Sequence, residues 1–164
     1  MQVTINTDAS FKQGYGGYAF WIVCDAGKIQ KAGKIKEPCL GSSDAEAMCI
    51  TNAIYTLKHS RFTEITKVII NTDSEPSIHL LSGTIKAGVK TAISKVIEEC
   101  KLLMMEICLA NGLSIRDYKT VFELRHVKAH SGKKDSRSFV NEWCDQEAKR
   151  YCRLRVAEVK NKKL

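Results

Sequence analysis

Four carboxylates, Asp8, Glu46, Asp73 and Asp145, each close a strand-like run or sit on a helix-like one. Such placement lets groups far apart in sequence converge on one metal site. Asp8 ends Val3-Thr4-Ile5-Asn6-Thr7-Asp8, where apolar and polar residues alternate before the turn-forming Ala9-Ser10, the pattern of a half-buried strand finishing on an acid. Asp73 ends the β-branched run Lys67-Val68-Ile69-Ile70-Asn71-Thr72-Asp73, and Ser74 with Pro76 then suits the opening of a helix. Glu46 precedes Ile50 by one helical turn and Ala53 by two, on a helix whose apolar residues also include Ile54 and Leu57, so it is aimed at the buried side. Asp145 holds an analogous place in Asn141-Glu142-Trp143-Cys144-Asp145-Gln146-Glu147-Ala148.

An acid aimed at a core is costly unless neutralised, and several acids together repel one another. A divalent cation relieves both costs. Oxygen-only ligands favour magnesium or manganese over zinc, and magnesium prefers to share its shell with substrate phosphates. The chemistry this suits is in-line phosphodiester hydrolysis with two ions roughly 3.5–4 Å apart. Either strand-end aspartate taken alone reads equally well as a strand terminator; the set of four is what favours metal chemistry.

Composition bounds the rest. The chain has 164 residues with 44% apolar content, enough for one domain with a sizeable core, so residues 1–164 are expected to form a single domain ending in a basic helix and tail at about 150–164. Seven cysteines is an odd number, none in a C-x-x-C pair, and Cys49, Cys100, Cys108 and Cys144 fall among helical apolar positions, as reduced packing residues do. No stretch approaches the ~20 apolar residues of a membrane span. These features lead us to expect a monomer in the cytoplasm or wherever a host or phage genome resides. A net charge of +8 fits a polyanionic partner. Of the late basic residues, Lys128, Lys133 and Lys134 flank His130 as substrate-contact candidates, whereas the terminal set reads equally as a solvated helix face and frayed tail.

The elements needed to position the acids follow from patterning: strands near 2–8, 16–25 and 28–36 as an antiparallel meander, the first two joined by a Gly-rich turn over 13–17. Then come a helix over about 43–59, a strand over 66–72, a short helix over 74–82, a long helix over about 89–111 ending at Asn111-Gly112, a strand over 120–127 and a final helix over about 137–157. The alternation Phe122, Leu124, His126 makes His126 structural, while His59 and His79 carry no readable role.

Asn6-Thr7-Asp8-Ala9-Ser10, Gly16-Gly17-Tyr18-Ala19, Glu46 on its Ala-rich helix, Asn71-Thr72-Asp73-Ser74, His126-Val127-Lys128-Ala129-His130-Ser131-Gly132 and Asn141-Glu142-Trp143-Cys144-Asp145 resemble, in order and spacing, the motifs of type 1 ribonuclease H over about Val3 to Lys149. The resemblance implies an α/β fold with a five-stranded mixed sheet of order 3-2-1-4-5, the second strand antiparallel and helices on both faces. It implies that Asp8, Glu46, Asp73 and Asp145 bind two Mg2+ ions, with Mn2+ an alternative, and that His130 is a mobile proton carrier or product-release group. The implied activity is endonucleolytic cleavage of the RNA strand of RNA–DNA hybrids, leaving 3′-hydroxyl and 5′-phosphate ends.

Substrate contacts match less well. The 2′-hydroxyl contacts expected from the family fall on Gln13, Ser42 and Ser43, where many relatives carry Asn or Thr. No Trp-bearing basic protrusion follows the third acid's helix, which leaves Lys86 and Lys90 as candidates for DNA-strand phosphates. Two other classes stay open: a nuclease of this fold acting on structured DNA or double-stranded RNA, and an inert hybrid-binding module, which four costly carboxylates disfavour.

Overall fold

The computed structural model describes residues 1–84, 92–128 and 135–164. Three strands open the chain, β1 (Gln2–Lys12), β2 (Tyr15–Cys24) and β3 (Gly27–Ile35), followed by helix α1 (Ser42–Lys58), strand β4 (Lys67–Thr72) and helices α2 (Glu75–Ser82) and α3 (Ala92–Ala110). A 3-10 turn (Ile115–Asp117) and a short helix α4 (Tyr118–Val121) lead into β5 (Phe122–His126), and α5 (Ser136–Lys162) ends the fold. The sheet order is β3-β2-β1-β4-β5, with β2 antiparallel to both neighbours and β1, β4 and β5 mutually parallel, as the resemblance implies.

Strand alternation sorts the two faces. On one, Val3, Ile5, Phe20, Ile22, Val68 and Ile70 pack against α1 and α3 through Ile50, Ile54, Leu57, Leu103 and Ile107. On the other, Ala19 and Trp21 meet Cys144 and Ala148 of α5. All seven cysteines are free thiols and six are buried, consistent with a packing role. Ser74 caps α2 by accepting from the Ser77 amide, Pro76 sits in the first turn, and Gly83 ends the helix at φ 78°. Asn111 closes α3 and also accepts from the Ile65 amide at 2.8 Å, tying that terminus to the loop before β4.

Several expectations need correcting. β1 does not end at Asp8 but runs four residues further, because β2 continues to pair with it from Asp8↔Ala19 to Lys12↔Tyr15. The connection is a two-residue turn, Gln13 at φ 54° and Gly14 at φ 83°, the paired left-handed geometry that matches strand twist. Gly16 and Gly17 lie in β2, within the strand expected over 16–25, so the turn is narrower than the Gly-rich stretch over 13–17. The strand expected from residue 120 starts only at Phe122, opposite Val68, because Ser114 caps a 3-10 turn that leads directly into α4 and so makes residues 120–121 helical. The last helix continues to Lys162 rather than fraying from about residue 157.

Candidate active site

Strand register brings the two aspartates together. β1 and β4 are parallel and pair as far as Asn6↔Asn71, so two residues further along each strand Asp8 and Asp73 leave the same end of the ladder side by side. The Asn71 amide donates to the Asn6 side-chain oxygen at 3.0 Å and locks that last rung. Glu46, 2% exposed, reaches the same point from α1. Its Oε1 accepts from the Thr7 hydroxyl at 2.6 Å and the Thr72 hydroxyl at 2.9 Å. Asp8, Glu46 and Asp73 each offer an oxygen within 4.8 Å of the others.

Asp145 lies outside that close group. Its carboxylate accepts from Lys149 one turn later at 2.8 Å, and its charge still acts on Asp8. Burial, then the charges of Glu46, Asp73 and Asp145, push the Asp8 carboxyl up to about 8, against the Ala9 amide, which favours the anion. Burial likewise raises Glu46 to about 7, opposed by the hydroxyls of Thr7 and Thr72. Three oxygen donors this close together could hold a hard cation.

The linkage has a definite sign. The folded Asp8 value lies above its ordinary 3.8, so its destabilising contribution is absent below about pH 4. It grows as the unfolded chain ionises first and is complete above about 8. Asp8→Asn in EDTA should therefore melt higher than the unsubstituted protein at pH 8, by about 2 kcal/mol or roughly 4–8 °C, with the gap closing toward pH 4.5. Thermal melts at both pH values check this, and a variant no more stable at pH 8 would contradict the repulsion.

Among the other expected residues, Gln13 is exposed at the β1–β2 turn, whose Gly14 carbonyl is clamped by the Cys39 amide at 2.9 Å. Ser42 and Ser43 form the first turn of α1, one turn before Glu46. Lys128 is exposed just after Val127, whose amide donates to the Thr72 carbonyl at 2.9 Å, so it leaves the sheet at the acid end. His130, Lys133, Lys86 and Lys90 lie outside the described residues. His126 keeps a structural role: its Nε2 sits 3.2 Å from the Asp73 carbonyl oxygen and helps hold that backbone in place. His59 stacks on Tyr55, and His79 faces Glu75 at 3.9 Å.

Sequence reasoning missed Thr7, Thr72 and Lys149. A signal was available for the first two, because Asn-Thr-Asp occurs at both 6–8 and 71–73. In each copy the Asn pairs across the rung, the Thr serves Glu46 and the Asp lines the site. Lys149 is marked only by its i+4 spacing from Asp145.

The fold has solved counterparts. RNase H1 from the halophilic archaeon Halobacterium salinarum superposes with a TM-score of 0.64 at 13% identity, covering 92% of this chain and 97% of that one. LC11-RNase H1, solved in complex with an RNA/DNA hybrid, gives 0.65 at 13%, covering 94% and 99%. The N-terminal RNase H domain of a Mycobacterium tuberculosis protein gives 0.64 at 14%, covering 96% and 98%. No curated protein matches the chain in sequence. The model of the RNase H family matches residues 1–153, nearly the whole length over which the sheet, the three-carboxylate cluster and Asp145 are laid out, and the chain belongs to that family.

Proposed function

We propose that this chain is a metal-dependent endoribonuclease that cuts the RNA strand of RNA–DNA hybrids, leaving 3′-hydroxyl and 5′-phosphate ends. The observation that carries the reading is the convergence of Asp8, Glu46 and Asp73 within 4.8 Å at the end of an RNase H family sheet. The donor set fits Mg2+, with Mn2+ as the alternative: it is all carboxylate, too repulsive to ionise fully by itself, and open on the exposed Asp73 side. Asp8, Glu46 and Asp73 would hold the ions, with Asp145 completing the set from α5. When bound, two such ions supply an activated water and charge neutralisation at the leaving oxygen.

The protein's own groups prepare that site. Thr7 and Thr72 fix the Glu46 carboxylate in one orientation and favour its anion, the form a cation requires. Lys149 holds the Asp145 carboxylate on the active-site flank of α5. His130 is assigned proton transfer or product release from the family motif alone. Gln13, Ser42 and Ser43 are the proposed contacts to RNA 2′-hydroxyls, Lys128 and Lys133 are proposed substrate contacts beside His130, and Lys86 and Lys90 are proposed for DNA-strand phosphates. Complementary support comes from a structural neighbour that was solved with an RNA/DNA hybrid. Action as a monomer in the cytoplasm is part of this proposal. Among the described residues no helix is long and apolar enough to cross a membrane.

The test is cleavage of end-labelled hybrid beside double-stranded RNA, single-stranded RNA and duplex DNA, with Mg2+ or Mn2+ and an EDTA lane. Loss of only the hybrid's RNA strand, abolished by EDTA, is the expected result. Cleavage of another substrate would keep the site and replace the specificity. Inactivity on all four with either metal would leave a binding module.

A further inference from the structure

The basic character of this chain is concentrated in one place. Seven of its 26 basic residues and one of its 18 acidic ones fall in the last sixteen positions, so the preceding 148 carry nineteen against seventeen and are close to neutral. All but one of these late residues belong to α5, which continues for two turns past residue 153, where the family match ends. Lys149, Arg150, Arg153, Lys160, Lys162 and Lys163 are exposed.

The segment is a docked helix, not a loose tail. Cys152 and Val156 are buried against the sheet side, and the Cys152 thiol lies 3.6 Å from the Tyr15 carbonyl oxygen. Arg155 donates to the Lys36 carbonyl at 3.0 Å and covers the Tyr15 ring at 5.4 Å, while Glu158 bridges Arg155 at 3.2 Å and Lys34 at 3.4 Å. The single late acid is thus spent on pinning the helix. Beyond Val156 the helix has no further buried residue, yet it stays regular to Lys162. Cations in the last turn offset the negative end of the helix dipole, but three lysines gathered beyond the last buried residue exceed that need and fit a partner of opposite charge.

We infer that the end of α5 is an arm that grips the phosphate backbone of the duplex outside the cleavage site. The inference rests on the nucleic-acid reading of that site, with which the arm is continuous: it starts one turn after Asp145 on the same helix. Lys160 lies fifteen residues from Asp145, about 22 Å at 1.5 Å per residue. That span matches about six or seven nucleotides at 3.4 Å along one strand. The arm therefore reaches phosphates well beyond those at the carboxylates and lengthens the duplex footprint on one side.

The experiment measures the Kd of a labelled 24-base-pair RNA–DNA hybrid in EDTA, without cleavage, over 50–300 mM KCl. The arm variant is Lys160→Gln, Lys162→Gln and Lys163→Gln together; the control removes equal charge elsewhere on the surface as Lys28→Gln, Lys101→Gln and Lys119→Gln. The arm variant should bind roughly tenfold more weakly at 100 mM KCl, with the slope of log Kd against log salt reduced by about two to three, while the control changes it by less than about one. An unchanged slope in the arm variant, or an equal fall in the control, overturns the assignment. Loss of binding to vesicles containing phosphatidylserine with hybrid binding unchanged would also overturn it and move the arm to a membrane surface. A reduced slope in a protein that cleaves nothing would retain the arm and defeat the nuclease reading, so the two fail separately.

Discussion

Asp73→Asn should lower kcat on an RNA–DNA hybrid at least about a thousandfold, equivalent to roughly 4 kcal/mol of transition-state stabilisation, while shifting Tm in EDTA by no more than a degree or so downward. The asymmetry follows from where the residue sits. Asp73 is exposed beyond the last β4 residue, and its charge helps raise both Asp8 and Glu46. Asparagine keeps the shape, removes one anionic metal ligand and relieves repulsion, so the metal-free fold has nothing to lose. Glu46→Ala is the informative contrast. It would leave the Thr72 hydroxyl, 0% exposed, without its acceptor and the Thr7 hydroxyl with only its longer 3.3 Å bond to the Asn71 carbonyl, at about 1–3 kcal/mol for the unsatisfied group, and so lose stability together with activity. Steady-state kinetics beside thermal melts separate the two. Even a tenth of normal activity in Asp73→Asn would place the chemistry elsewhere.

What could be read from the sequence was set by how local the determining physics is. Glu46 was legible because helical periodicity alone places it on the buried face, where it is found. Asp73 was legible because β4 is a buried β-branched run with a helix-opening Ser74 directly behind it. Asp8 falls in the carboxylate cluster but not at a strand end. What stops beside it is the β4 pairing, a fact of register between strands 65 residues apart, while β2 carries β1 onward to Lys12. The same limitation hid Thr7 and Thr72, whose hydroxyls matter only once both strands meet α1. Asp145 was read as an equal fourth ligand. Its partner Lys149 follows from i+4 spacing on one helix, but its position outside the close trio does not, because that depends on how α5 crosses the sheet.

That crossing rests on one glycine, and Gly17→Ala should be the most damaging single-atom-group change to the fold, costing about 3 kcal/mol or more. A Cβ there would lie 2.2 Å from the Ala148 carbonyl oxygen, 2.4 Å from the Cys152 nitrogen and 2.9 Å from the Tyr151 carbonyl carbon. All three are backbone atoms of α5, so no rotamer change relieves the clash and the helix itself must move off β2, beyond ordinary core overpacking. Sequence patterning put this glycine at the start of the second strand, in the Gly-rich stretch before it, yet its φ is unremarkable and its service is to let helix and strand touch. At this chain length the loss corresponds to a fall in Tm of about 6–12 °C. Gly41→Ser, in open space at the extended N-cap of α1, should be neutral or slightly stabilising in the same melts. Because α5 carries Asp145 and Lys149 from that contact to the acid cluster, a displaced helix should also raise the metal concentration needed for half-maximal cleavage well below the melting range. A Gly17→Ala protein with normal Tm and normal metal requirement would show that the close approach of α5 is dispensable, and with it the account of how Asp145 reaches the site.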